Sequence, residues 1–159
     1  KSKEFCFSSV SFLSYNTSMK PYNKFFRWIP AILIGVFIFL QSGLNSSESN
    51  AVSLPIVEWM MNFFSFADKD VLHHLIRKAA HFSEYFFFGG SILYALDEDF
   101  TAGRFALFCV LVPVCDETLQ YFTPGRAAQL TDCLLDASGM ICAALVGIWL
   151  KKHIRRYLT

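Results

Sequence analysis

Hydrophobic positions fall in four long runs, at about residues 28–44, 79–96, 105–122 and 130–150, without the regular polar positions of a helix with one wet face. At 1.5 Å of rise per residue, runs of this length approach the roughly 30 Å of a bilayer's hydrocarbon core. The pattern predicts four transmembrane helices. Residues 55–67 form a shorter stretch, apolar except for Glu58, Asn62 and Ser65, which recur at i, i+4 and i+7 on one narrow helix face. This stretch is expected to be a helix lying in the interface, entered through a polar loop at residues 45–50. The connections at 97–104 and 123–129 are short enough to make the helices they join antiparallel neighbours. The expected fold is therefore all-α, a polytopic membrane bundle of about four transmembrane helices plus an interfacial helix.

Composition agrees with this pattern. Hydrophobic residues make up 54% of the 159 and charged residues 17%, and the mean hydropathy is +0.39. A soluble domain of this length has too little interior to hide so much apolar surface. Net charge is only +1, and no dense Lys/Arg block is interleaved with aromatics, so no nucleic-acid partner is expected. Five cysteines form no CxxC pair, and four of them sit in apolar runs, where a thiol packs as a small hydrophobe.

Charge also orients the chain. With the amino end inside, the cytoplasmic flanks carry Lys20, Lys24, Arg27, Arg104, Lys151, Lys152, Arg155 and Arg156, and the outer side carries Lys69, Arg77, Lys78 and Arg126. The expectation is a multi-pass protein of the cell membrane with both termini cytoplasmic. A cleaved signal peptide is the rival reading of the first run, but no small-x-small cleavage site follows it cleanly, so a retained helix is expected. Residues 1–18 are Ser-rich and unpatterned, whereas Met19-Lys20-Pro21 looks like an ordinary start, which puts the membrane domain at residues 19–159.

The polar residues inside the runs carry the candidate chemistry. The second run opens with Arg77, Lys78, His81, Glu84 and Tyr85, and the spacing 77, 81, 84 puts Arg, His and Glu on one face. The third carries Asp116, Glu117 and Gln120 near its end, followed by the turn Thr123-Pro124-Gly125-Arg126. The fourth begins with Asp132 and Asp136, with Gly139 and Ala143 below them on the same face. All these groups fall at the outer end of their helices. Ionisable residues in a span cost about 2.5–3.5 kcal/mol each at mid-bilayer, so they are expected to face one another. Interhelical pairing, with Arg126 bridging carboxylates and His81 donating to one, would account for any single residue; the set as a whole points to a pocket. Gly139, Ala143 and Gly147 recur every four positions and are expected to let a neighbouring helix approach closely.

Three stretches, Lys78-Ala79-Ala80-His81-Phe82-Ser83-Glu84-Tyr85, Asp116-Glu117-Thr118-Leu119-Gln120-Tyr121-Phe122-Thr123-Pro124-Gly125-Arg126 and Asp132-Cys133-Leu134-Leu135-Asp136-Ala137-Ser138-Gly139, resemble in this order the VanZ-like family of bacterial membrane proteins. The resemblance covers about residues 28–150 and includes Gln41-Ser42 at the end of the first run. It carries the family pattern to Lys78, His81, Glu84, Tyr85, Asp116, Glu117, Gln120, Arg126, Asp132 and Gly139. Many relatives have Asn where this chain has Asp136, so a carboxylate adds negative charge there. The resemblance implies a link to low-level resistance to the glycopeptide teicoplanin, with which the founding member is associated.

Two functions compete. In the first, Lys78, His81, Glu84, Tyr85, Asp116, Glu117, Gln120, Arg126, Asp132 and Asp136 line an outward-facing pocket that binds a polar head group. Membrane lipids and a lipid-linked cell-wall precursor or glycopeptide are the expected partners. In the second, the chain is an intramembrane hydrolase or transferase acting on a lipid-linked envelope substrate, with Glu117 or Asp132 as general base and His81 as acid. His81, Glu84, Glu117 and Asp132 are chemically acceptable ligands for zinc or manganese. The chain has no HExxH or comparable spacing, and no Rossmann or P-loop motif, so neither a metal nor any other cofactor is expected.

Overall fold

The structure, a computed structural model, describes residues 21–44, 46–63 and 68–158. The described residues form six helices: α1 (Pro21–Phe26), α2 (Ile29–Ser42), α3 (Ser46–Met61), α4 (Lys69–Leu96), α5 (Ala102–Phe122) and α6 (Leu130–Leu158), with a single 3-10 turn at Asp97–Asp99. Among the described residues three segments are long and apolar enough to cross a membrane: Lys24–Ser42, Ala102–Phe122 and Leu130–Ile154. The predicted run at 79–96 lies within α4, whose charged and histidine-bearing amino-terminal half precedes its apolar half. Residues 1–20, which include Met19, lie outside the described residues.

Helix ends follow local chemistry. Asp68 caps α4 by accepting from the Asp70 amide at 2.8 Å, and Thr101 caps α5 by accepting from the Arg104 amide at 3.2 Å. Pro30 sits in the first turn of α2, where its missing N–H would have had no partner. Gly125 takes φ 77° in the α5–α6 turn, a conformation open to glycine without steric cost.

One element differs from the sequence reading. Residues 46–50, expected as a polar loop, are the first turns of α3, which runs through Pro55 and stops at Met61. The Ser46-Ser47-Glu48 opening suits a helix start, because hydroxyls and acidic groups are favoured beside unpaired amides. Glu58 faces outward with a weak, exposed pairing to Lys69 at 3.5 Å. Asn62 lies in the following turn, and Ser65 falls outside the described residues.

The bundle is built around α4, which packs most extensively on α6 and also meets α2, α3 and α5. Its core holds Tyr85, Phe88, Ile92 and Leu96 of α4 against Ala31 and Ile38 of α2, Phe105 and Cys109 of α5, and Met140 and Ala144 of α6. The outer faces stay apolar: Leu33, Phe37 and Leu40 on α2, Leu107, Val110 and Leu111 on α5, and Ile141, Leu145 and Trp149 on α6 are all exposed. Apolar belts of this extent on three helices match a hydrocarbon solvent.

Two clusters tie opposite ends of the bundle. At one end Arg27 pairs with the buried carboxylate of Asp97, and Lys24 reaches Asp99 at 3.3 Å. The Arg27 guanidinium also lies 5.6 Å from the centre of the Tyr94 ring. At the other end Thr123 donates to the Ser42 carbonyl at 3.2 Å, and Arg126 to the Gln41 carbonyl at 3.4 Å. The start of α2 and the α4–α5 connection therefore share one end, and the α5–α6 turn shares the other with the end of α2.

Candidate functional site

Heptad-like spacing on α4 aims His74, Arg77, Lys78 and His81 at the same end of the bundle as the α5–α6 turn. Together with Gln120, Gly125, Arg126, Gln129 and Asp132 they enclose a cavity of about 250 Å³. A second hollow of about 110 Å³, between α2, α3 and α4, adds Gln41, Ser53 and Glu84 and shares Arg77, His81 and Arg126. Ser53 Oγ and His73 Nε2, 2.7 Å apart, hydrogen-bond α3 to α4 beside it.

The cavity is unevenly charged. Lys78 pairs with Asp132 at 2.7 Å, both side chains partly exposed. Arg126 has no carboxylate in ion-pair distance among the described residues; it meets only the Gln41 carbonyl, and its buried Nε has no partner. Burial, and then the neighbouring positive charge of Arg77, pull the Arg126 guanidinium below its usual value, more than the surrounding carboxylates raise it. The competing reading, in which Arg126 bridges carboxylates as interhelical pairing, is thus not met among the described residues. The short turn carries its side chain toward the end of α2, while Lys78 takes Asp132.

Glu117 is placed differently from the rest. It is buried on the α6-facing side of α5 and accepts a hydrogen bond from the Gln129 backbone amide, which closes the turn. It borders a shallow cleft with Val114, Tyr121 and Cys133 instead of the main cavity.

Beneath the cavity lies a buried polar floor. Asp116 and Asp136 are both 0% exposed, and Tyr85 is equally buried beside them. Gln120 donates to Asp116 Oδ2 at 3.2 Å and leans on Ser42 Oγ at 3.5 Å. Neither oxygen of Asp136 has a hydrogen-bond partner, and His81 Nδ1 stands 3.7 Å from Asp136 Oδ1. One donor atom each from His81, Asp116 and Asp136 lies within 4.8 Å of the others.

This floor exists because α4 and α6 touch backbone to backbone. A Cβ on Gly139 would lie 2.6 Å from the Phe82 carbonyl oxygen, and one on Gly89 would lie 2.7 Å from Met140 Cα. Gly139 thus stands at the predicted helix contact, and Gly89 adds a second that mirrors it. A Cβ on Gly90 would meet open space, so Gly90 makes no such contact.

The buried row on three helices, under a basic mouth closed by a Pro-Gly-Arg turn, lies wholly within the part of the chain that a known family model covers. The VanZ/LLP1 family model matches residues 26–151. The chain belongs to the VanZ/LLP1 family. Neither the curated proteins nor the solved structures contain a match to it. Family membership and three apolar helices together make it a VanZ-like membrane protein.

Of the ten expected site residues, Lys78, His81, Gln120, Arg126 and Asp132 line the cavity, Glu84 lines its neighbour, and Tyr85, Asp116 and Asp136 form the floor. His74 was not singled out by sequence reasoning, although its place at i relative to Lys78 at i+4 and His81 at i+7 puts all three on one helix face. Arg77 joins them through its position three residues after His74.

Proposed function

We propose that this VanZ-like chain crosses the membrane four times, with α4 as the remaining crossing, and binds an anionic head group in the cavity at the outer end. The observation that carries the reading is Arg126: a half-buried guanidinium, flanked by Arg77 and Lys78, with no carboxylate partner among the described residues. A planar fork held by a single long hydrogen bond to a backbone carbonyl suits a phosphate or carboxylate, which it can grip through two parallel hydrogen bonds. Apolar faces next to the cavity would leave the tail of such a molecule in the bilayer. Envelope lipids and lipid-linked cell-wall precursors have this chemistry, and their capture is the route by which the protein would contribute to glycopeptide (teicoplanin) resistance. The positive-inside rule supports an outward cavity with both termini cytoplasmic.

An intramembrane hydrolase or transferase is the second reading. His81 at the border between the cavity and the buried Asp116–Asp136 pair favours it, since an imidazole so placed can exchange a proton with a bound head group. Glu117 and Asp132 are engaged elsewhere, with the Gln129 amide and Lys78.

The cellular test compares teicoplanin susceptibility with folded protein recovered from membranes, for wild type and Arg126→Lys. The binding reading expects susceptibility to rise while folded protein is unchanged. A rise in susceptibility matched by a proportionate loss of folded protein would reduce Arg126 to a structural tie.

A further inference from the structure

We propose that His81, Asp116 and Asp136 hold one divalent cation, zinc or manganese, in the floor beneath the cavity. The three come from α4, α5 and α6, so the cluster is made by the packing of the bundle and not by a local acidic run. Their donor atoms lie within 4.8 Å of one another. Ligands about 2.1 Å from a shared tetrahedral ion are roughly 3.4 Å apart, a closure that side-chain rotation supplies.

The second observation is the state of the donors. Asp136 has a side chain 1% exposed, with both oxygens lacking a hydrogen-bond partner; Asp116 Oδ1 and His81 Nδ1 lack one as well. His81, Asp116 and Asp136 therefore each offer a buried atom without a hydrogen-bond partner in a cluster built from three helices. No Lys or Arg forms an ion pair with either carboxylate among the described residues, because Lys78 is taken by Asp132. Two carboxylates stay ionised in a dry place only with compensating positive charge, and a single divalent ion supplies two such charges.

The surroundings favour the same assignment. Gln120 holds Asp116 Oδ2 while Oδ1 is buried without a partner, and an orienting hydrogen bond of this kind is what fixes a metal-ligating carboxylate. His81 is partly exposed to the cavity, which gives an ion an entry path. One imidazole and two carboxylates suit zinc or manganese better than the softer ions that thiolates select or the all-oxygen cages of calcium. Of the residues that the sequence offered as chemically acceptable ligands only His81 belongs to this set, since Glu84, Glu117 and Asp132 face other partners or hollows.

The test uses the full chain in detergent, stripped with a chelator and titrated separately with zinc chloride and manganese chloride, without added lipid. Metal per protein is read by mass spectrometry and thermal unfolding is followed in parallel. The wild type should take up about one equivalent of one of these ions and melt at a higher temperature with it. Asp136→Asn and His81→Ala should each bind at least tenfold more weakly, and Asp99→Asn, at the opposite end, should bind as wild type does. Metal-free Asp136→Asn should melt at or above the metal-free wild type, because a buried charge has been removed. If that variant fails to fold, His81→Ala alone decides. No stoichiometric uptake of either ion by the wild type, or uptake unchanged in the variants, overturns the proposal. Head-group binding through Arg126 can stand or fall independently, since no lipid enters this measurement.

Discussion

Gly139 of α6 stands directly against the Phe82 carbonyl of α4, so close that an added Cβ would lie 2.6 Å from that oxygen. The contact sets the spacing of the two helices that carry His81, the residue before Phe82, and Asp136, about one turn before Gly139. Gly139→Ala should therefore destabilise the bundle by about 1–3 kcal/mol, the usual cost of overpacking, and Gly139→Leu should reduce folded protein sharply. Gly90→Ala, with open space at its Cβ, is the control and should melt as wild type does. Fluorescence-detected unfolding in detergent reads both.

Arg27 and Asp97 form a second tie, at the opposite end. Asp97 is 2% exposed and adopts φ 35°, a left-handed backbone that non-glycine residues rarely take. Removing the cation leaves a buried carboxylate short of its main partner, so Arg27→Ala should cost about 3–5 kcal/mol. Lys24→Ala, whose pairing with Asp99 is exposed, should cost little. A smaller loss for Arg27→Ala than for Lys24→Ala would contradict this ranking.

Glu117 is predicted to act on the turn instead of on a ligand. Its carboxylate accepts from the Gln129 amide, so Glu117→Ala should lower stability by about 1–3 kcal/mol by leaving that amide unmet. Glu117→Gln, which keeps a carbonyl in place, should retain most of it. Head-group binding at equal folded concentration should be nearly the same in both.

Topology gives a prediction of its own. The Arg27–Asp97 and Thr123–Ser42 ties hold the α4–α5 connection with the start of α2, and the α5–α6 turn with its end. A cysteine placed at position 47, in a background without the native cysteines, should label from outside intact cells, and one at position 103 only after permeabilisation. The reverse pattern would turn the cavity toward the cytoplasm.

The long apolar runs made three of the helices legible, because a hydrocarbon solvent demands continuous apolar length and little else. The 123–129 connection was equally clear, since Pro124 and Gly125 interrupt the pattern and α5 and α6 end and begin on either side of it. Residues 46–50 were misjudged because Ser, Glu and Asn serve both loops and helix starts. The site residues on α4 showed in their spacing. Partners did not: nothing in one dimension reveals that Lys78 meets Asp132, that Arg126 turns to Gln41, or that Asp116 and Asp136 come together under His81. Those pairings depend on the rotation of α5 and α6 about their axes, and the tight Gly139 and Gly89 contacts fix that of α6 against α4.

Binding at Arg126 tests the central claim most directly. Wild type and Arg126→Lys, matched for folded protein and melting temperature, are titrated in detergent with a short-chain lipid bearing a phosphate monoester head group. The same lipid with a zwitterionic phosphocholine head group serves as the reference. The account predicts that the wild type prefers the phosphate lipid, and that Arg126→Lys keeps its fold but loses at least tenfold in affinity, because an ammonium cannot reproduce the planar two-bond grip. Equal affinity of the wild type for both lipids, or undiminished phosphate binding by the variant, would contradict it.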